Sequence, residues 1–292
     1  MFKTFTSLTK FGIVIFVLLT GLAGYATSFQ IENSFQIEHF LWFLGGLYFL
    51  SSGSLALNQV QEYKLDQKMP RTAGRPIASG KIKPAAGLIL SLSMLFVGIN
   101  MLYEASAMAG YVAVASVVMY NGFYTMYLKP NWVFAAVPGA VPGALPITIG
   151  YAANDSDIFN PESIYLFLIM FLWQMPHFWT LAIKFIEDYR LGGVPTLPVS
   201  LGVPKTLFHV GLYTFVYCGV AVASPFFLHT SWVYAALVFP FVFFLLKEFF
   251  ALYRSGGQKR WLAFFMWTNI SMLVFVFVPV IDKWSFLFLD RV

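Results

Sequence analysis

The chain has 292 residues, 59% of them hydrophobic and 19% aromatic, and only 11% charged. An ordinary soluble domain is roughly one-quarter charged, so a soluble fold of this composition would leave large apolar patches in water. The single cysteine, Cys218, lies inside an apolar run and excludes a disulfide scaffold and a c-type haem attachment site, while the net charge of +5 invites an acidic partner.

A bilayer crossing takes ~20 mostly apolar residues. In chain order, such runs predict nine transmembrane helices, over 11–28, 40–57, 84–103, 107–126, 132–152, 163–183, 206–226, 231–250 and 261–281. The first has an alternative reading as a signal peptide, because Lys10 precedes an apolar run that ends in Gly24-Tyr25-Ala26. Pro84 opens the third span, where a missing N–H costs little. The fifth carries Pro138, Pro142 and Pro146 and is expected to be bent or broken. Pro176 is expected to kink the sixth and free a backbone carbonyl, which a membrane helix tolerates where a cavity is lined. The reading is thus an all-α integral membrane protein of nine transmembrane helices, forming one domain over 1–292.

Nine crossings assign the charges to alternating sides. Sixteen of the eighteen Lys and Arg residues fall on one side with five of the thirteen Asp and Glu, a net of +11; the other side nets −6. Lys283 and Arg291 are the two basic exceptions. The positive-inside rule makes the basic face cytoplasmic, with the N-terminus in and the C-terminus out.

Four of the five acidic residues on the basic face form two groups. After the second span the chain reads Asn58-x-x-x-Glu62-x-x-x-Asp66, then Met69, Arg71, Thr72, Arg75, Pro76 and Gly80. Spacing of four puts Asn58, Glu62 and Asp66 on one stripe of a helix that continues out of the span. Three oxygen-bearing side chains on a stripe suit a hard cation such as Mg²⁺, which takes one or two carboxylates together with substrate phosphate oxygens. Arg71 and Arg75 can fork onto phosphate. The plainer alternative is a solvated juxtamembrane helix whose basic residues set topology and touch anionic lipid. After the sixth span come Trp173-Gln174-Met175-Pro176-His177-Phe178, Lys184-x-x-x-Asp188-Tyr189 and Gly192-Gly193-Val194-Pro195. Tyr120-Asn121, Tyr124 and Lys129 stand at the same end of the fourth span. All three groups leave even-numbered spans on the cytoplasmic face, where they can converge on a diphosphate-handling site.

At these residues the sequence resembles the UbiA superfamily of intramembrane prenyltransferases, over roughly 10–280. The Asn58-to-Gly80 stretch is similar to the superfamily's first motif. The Pro176-His177-Phe178 element, with Asp188-Tyr189 and Gly193-Val194-Pro195, is similar to the second region of its haem-modifying branch. Two positions depart from the common pattern: Lys184 stands where many members have an Asp, and Lys129-Pro130-Asn131 where a Lys-Arg pair is more familiar.

The resemblance implies a nine-helix fold, with farnesyl diphosphate and haem B as substrates; the short two-lysine N-terminus, without the arginines of a mitochondrial transit peptide, points to a bacterial inner membrane. The resemblance implies Mg²⁺ held by Asn58, Glu62, Asp66 and Asp188, with Arg71, Arg75, Lys129 and Lys184 stabilising the diphosphate as its C–O bond breaks. It also implies a haem A synthase or terminal oxidase assembly as a downstream partner, membrane lipid as surroundings and no nucleic acid. His177 is read either as a residue that ligates or positions haem iron, or as a hydrogen-bond partner of the carbonyl freed by Pro176. His209 is a weaker haem candidate, and His39 and His229 are expected to be solvated at the outer interface. The competing readings are a prenyltransferase acting on an aromatic quinone precursor and a polytopic transporter. Transporters place ionisable groups near the bilayer midplane, whereas here they cluster at one interface.

Overall fold

A computed structural model describes residues 2–285 other than 31 and 33, and all its regular elements are helical. Asp290 and Arg291, counted above on the acidic face, lie outside the described residues. The helices are α1 (Phe2–Leu8), α2 (Phe11–Ser28), α3 (Ile37–Asp66), α4 (Pro84–Ala105), α5 (Ala107–Asn131), α6 (Ala136–Ala152), α7 (Pro161–Lys184), α8 (Ile186–Gly192), α9 (Leu197–Val222), α10 (Trp232–Arg254) and α11 (Trp261–Trp284). Among the described residues eight of these are long and apolar enough to cross a membrane. Of the nine expected spans the exception is α6, whose 17 residues reach about 25 Å at 1.5 Å per residue, short of the ~30 Å hydrocarbon core. The fifth expected span loses its start because Trp132 is extended and the helix begins at Ala136.

Helix α6 runs through Pro142 and Pro146, and α7 through Pro176, each as one continuous element. Neighbouring helices and local adjustment absorb the lost hydrogen bond in such settings. A kink falls in α9 at Gly202, whose φ of 79° and ψ of 165° are open to glycine. Pro204, two residues on, leaves the chain to resume as a span close to the expected start at 206.

The chain divides into two compact units. The first comprises Met1–Asp157 with Glu187–Pro195, the second Ile158–Ile186 with Thr196–Val292. In the first, α2 packs on α6 and α3 on α4. Apolar lipid gives helices little reason to associate through hydrophobic burial alone, so close backbone approach between small residues carries much of the contact. At Gly24 and Gly150 a Cβ would land on the carbonyl oxygens of Ile147 and Gly21 respectively. Gly24→Leu should therefore lower stability by about 1–3 kcal/mol, the usual range for overpacking. A thermal shift assay in detergent checks this, and an unchanged melting temperature would show that the helices part freely.

The far end of this unit is pinned by His39, which the sequence reading left solvated. Its Nδ1 meets the Tyr25 hydroxyl at 3.1 Å, and Nε2 lies 3.1 Å from the carbonyls of both Ala105 and Ala153. Those carbonyls are left without helical partners where α4 and α6 end. In the second unit a buried tyrosine pair links four helices. The Tyr165 and Tyr234 hydroxyls are 2.6 Å apart, Tyr165 donates to the Phe275 carbonyl, and Tyr234 donates to that of Ala221. His229 is exposed, as expected.

Candidate functional site

Helix α3 runs unbroken from Ile37 to Asp66, so the expected stripe exists. Asn58, Glu62 and Asp66 are 2%, 6% and 1% exposed, which rules out the plain solvated juxtamembrane helix. Their burial comes from α5, which runs alongside as a parallel neighbour. Ser54 Oγ donates to Asn121 Oδ1 at 2.5 Å, Asn58 Nδ2 donates to Thr125 Oγ1 at 3.3 Å, and Lys129 Nζ donates to Glu62 Oε1 at 2.5 Å. Each rung joins residues 67 positions apart, and successive rungs are four residues apart on both helices. Gln61 and Asn121 close the ladder, through Gln61 Nε2 to the Asn121 carbonyl at 2.8 Å and Asn121 Nδ2 to Gln61 Oε1 at 3.1 Å. Across this stretch, Val118–Leu128, α5 adopts wide π-helical turns, a geometry found mostly at functional positions.

The loop after α3 folds back on it. Thr72 Oγ1 donates to the Asp66 carbonyl at 3.1 Å, and Arg75 Nη1 donates to both Asp66 carboxylate oxygens at 2.7 and 2.8 Å. Ile77 completes a small core with Leu8 and Ala56, flanked by Val60, Tyr63 and Ile82. Gly80, at φ 75°, makes the turn that leads into α4. Segment 187–195 packs on the same loop, with Gly192 against Met69 and Arg71 Nε 3.8 Å from Asp188 Oδ2. The Arg71 guanidinium also lies 5.9 Å from the centre of the Tyr189 ring. One unit thus brings together Asn58, Glu62, Asp66, Arg71, Arg75, Lys129 and Asp188.

Lys184 and His177 belong to the other unit. Lys184 and Asp188 do not share one helix, because α7 stops at Phe185, whose φ of −111° and ψ of 33° are not helical. The Lys184 ammonium sits 5.6 Å above the Trp261 ring. His177 lies between Trp173 and Phe265, with ring centres 4.6 and 4.9 Å away. Its Nδ1 is buried without a hydrogen-bond partner among the described residues, which show no bond from that atom to a freed carbonyl. His209 meets the Trp179 ring edge-on at 6.0 Å.

Sequence reasoning missed Lys10, counting it only as a topological charge. Its Nζ donates to Asn58 Oδ1 at 2.9 Å. The residue is left-handed, with φ and ψ both 51°, uncommon for a side chain other than glycine, asparagine or aspartate. Gln59 holds this turn in place by donating to the carbonyls of Ser7 and Leu8 at 2.9 and 2.8 Å. Burial, and then the Arg75 guanidinium, push the ammonium down to about 7, with Glu62 partly opposing them. The adjacent Asn58-Gln59 pair was the available signal, since one side chain meets the lysine and the other fixes its turn.

Among the described residues no three of His, Cys, Asp and Glu cluster closely enough to hold a metal alone. The arrangement instead offers two buried carboxylates and an amide oxygen on one stripe, bordered by Lys10, Arg75 and Lys129. That donor set fits an ion which completes its shell with phosphate oxygens, and the cations suit the phosphate itself.

Residues 17–270 match a family model described as the UbiA prenyltransferase family, a stretch that runs through both units. A protoheme IX farnesyltransferase of Bdellovibrio bacteriovorus is 65% identical over 291 residues, covering 100% of both chains. Among solved structures, one of digeranylgeranylglyceryl phosphate synthase superposes with a TM-score of 0.77 at 19% identity, covering 96% of this chain and 98% of that one. A UbiA homolog from Archaeoglobus fulgidus, bound to GPP and Mg²⁺, gives 0.67 at 12% identity, with 95% and 99% covered. These last two likenesses establish the fold.

Proposed function

The chain belongs to the UbiA prenyltransferase family, and from that premise we propose that it transfers a farnesyl group from farnesyl diphosphate to a vinyl group of haem B. The products are haem O and diphosphate. The full-length relative carrying the protoheme IX farnesyltransferase name supports the choice of substrates. The observation that carries the reading is the buried Asn58-Glu62-Asp66 stripe with a cation beside each oxygen donor. The protein is a multi-pass membrane prenyltransferase, and we place it in a bacterial inner membrane with the basic face cytoplasmic.

In this mechanism Asn58, Glu62 and Asp66, joined by Asp188, would hold Mg²⁺. Mg²⁺ bound there supplies Lewis-acid neutralisation of the diphosphate, as the GPP and Mg²⁺ of the archaeal homolog suggest. Lys10, Arg71, Arg75 and Lys129 stabilise the charge that grows on diphosphate as the allylic C–O bond breaks. The vinyl group bonds to C1 of the farnesyl chain. Water then captures the resulting cation on the haem side chain and releases a proton. No strong protein base is required, so an active site built from carboxylates and cations suffices. His177 contacts the haem.

Haem extracted from cells with and without the protein tests the reaction by mass spectrometry. A mass gain of one farnesyl group plus one hydroxyl is expected; prenylation of an aromatic acid in place of haem would overturn the assignment. Lys10→Met should weaken binding of a non-reactive farnesyl diphosphate analogue about tenfold or more, since one charge-assisted hydrogen bond is worth about 1.5–3 kcal/mol. Titration calorimetry reads this directly, and unchanged affinity would return Lys10 to a topological role.

A further inference from the structure

The three oxygen donors assigned above to the metal are each engaged by a side-chain cation. Lys10 Nζ donates to Asn58 Oδ1 at 2.9 Å, and Lys129 Nζ donates to Glu62 Oε1 at 2.5 Å. Arg75 Nη1 donates to both oxygens of Asp66 at 2.7 and 2.8 Å. Asn58 Nδ2 faces Thr125, which leaves Oδ1 as the end of the amide that an ion could use, and Lys10 sits on it. The cations also lie outermost. The Lys129 and Arg75 side chains are 19% and 23% exposed, against 6% and 1% for Glu62 and Asp66 beneath them. All six residues belong to one unit, and the cations reach the stripe from separate segments: the α1–α2 turn, the loop after α3 and the end of α5.

Charge balance sets the conditions for binding. Two carboxylates face three basic side chains, so the stripe has no negative charge in excess for an incoming ion. Mg²⁺ alone would add positive charge to a buried cluster that is already compensated, and like charges oppose it. A diphosphate alone would bring negative charge up to two buried carboxylates. Together the two ligands offset each other, and each takes the partners the other releases. The carboxylates turn to the metal, and the ammonium and guanidinium groups turn to phosphate.

The three cations differ in what their departure leaves behind. Withdrawing Lys129 or Arg75 strands a buried carboxylate, which is costly, whereas withdrawing Lys10 leaves a neutral amide. Arg75 meets Asp66 through one nitrogen of a five-donor fork, so it can reach phosphate without letting go. The Lys10 backbone is held by the Gln59 bonds to Ser7 and Leu8, and its ammonium moves on a flexible four-carbon stem.

We propose that Lys10, Arg75 and Lys129 form a cationic cover that withholds the Asn58-Glu62-Asp66 stripe from Mg²⁺ until a diphosphate draws it aside, Lys10 moving first. Metal and diphosphate then bind as a coupled pair, each tightening the other by the same factor. The cover rests on the metal assignment of the stripe made above.

The test titrates full-length protein in detergent with Mg²⁺ by calorimetry, alone and beside a saturating non-reactive farnesyl diphosphate analogue. In the parent the analogue should tighten Mg²⁺ binding about 5–150-fold, the usual span of coupling between two sites. Lys10→Met should bind Mg²⁺ alone about tenfold or more tightly than the parent does, because one positive charge beside the site is gone. The same variant should bind the analogue more weakly. Affinities that move in opposite directions are a result that a merely structural defect would not produce. Should Lys10→Met fail to fold, Lys10→Gln, which removes the charge and keeps a donor, decides in its place. The cover is overturned if the Lys10 variant binds Mg²⁺ alone no more tightly than the parent, or if the analogue leaves the parent's Mg²⁺ affinity unchanged. Glu62→Gln then separates the two readings. If it weakens Mg²⁺ uptake beside the analogue, the stripe holds the metal and only the cover falls. If uptake is unaltered, the metal assignment fails and the cover goes with it.

Discussion

A Glu62→Gln protein is expected to insert and fold with some loss of stability, because Lys129 loses the opposite charge of its pair, and to transfer prenyl groups about 10²–10³-fold more slowly, the loss typical of removing one preorganised electrostatic contact. Glutamine preserves the shape of the side chain and an oxygen that still accepts from Lys129, so the third rung of the ladder survives. What disappears is a negative charge at a buried position, 6% exposed, beside Asn58 and Asp66. Mg²⁺ draws its protein affinity from one or two carboxylates, and removing one of them cannot be offset by more substrate. Rates measured on purified protein across a magnesium series separate the alternatives. A rate that recovers fully at saturating Mg²⁺ means weaker binding alone; full activity at ordinary Mg²⁺ would sink the metal assignment of Glu62.

Arg75→Met is expected to lose stability as well as activity. Asp66 is 1% exposed, and both its carboxylate oxygens accept from Arg75 Nη1. Taking away one partner of a buried pair leaves an uncompensated charge and typically costs 3–5 kcal/mol, approximately. Replacing both partners by neutral groups removes that penalty, so an Asp66→Asn, Arg75→Met protein should regain most of the lost stability. Its activity should stay absent, because the oxygen donor and the phosphate-facing cation are both gone. Thermal unfolding of the two single variants and the double variant closes the cycle. A single Arg75→Met protein that melts like the parent would show that Asp66 finds another partner.

Much of the architecture was readable from composition alone, because a run of ~20 apolar residues has few alternatives to a membrane helix. Asn58, Glu62 and Asp66 were readable too, since spacing of four states which side chains share a helix face. Spacing within a helix says nothing about register against its neighbour, however. That is why Ser54 and Thr125 went unremarked and Asn121 appeared only as one polar residue at the end of a span. Arg71 and Arg75 were read as phosphate forks, and the structure pairs them with Asp188 and Asp66. Lys10 was hidden for a different reason: its left-handed backbone carries no residue-type signature, and only folding brings its ammonium to Asn58. The late start of α6 at Ala136 and the break at Phe185 were equally invisible, since neither apolar character nor spacing marks where the backbone leaves the helical region.

The constant offset of the α3–α5 ladder has a consequence for how the sequence can vary. Three pairs, 54 with 121, 58 with 125 and 62 with 129, are locked at one separation along two helices that run the same way. The connecting loops can drift in composition, but the helices cannot change register singly without rotating a carboxylate away from its cation. In a family of related chains, substitutions at these positions should therefore occur as matched exchanges between the two columns. Insertions and deletions should collect in the connections outside the ladder and avoid the stretches 54–62 and 121–129.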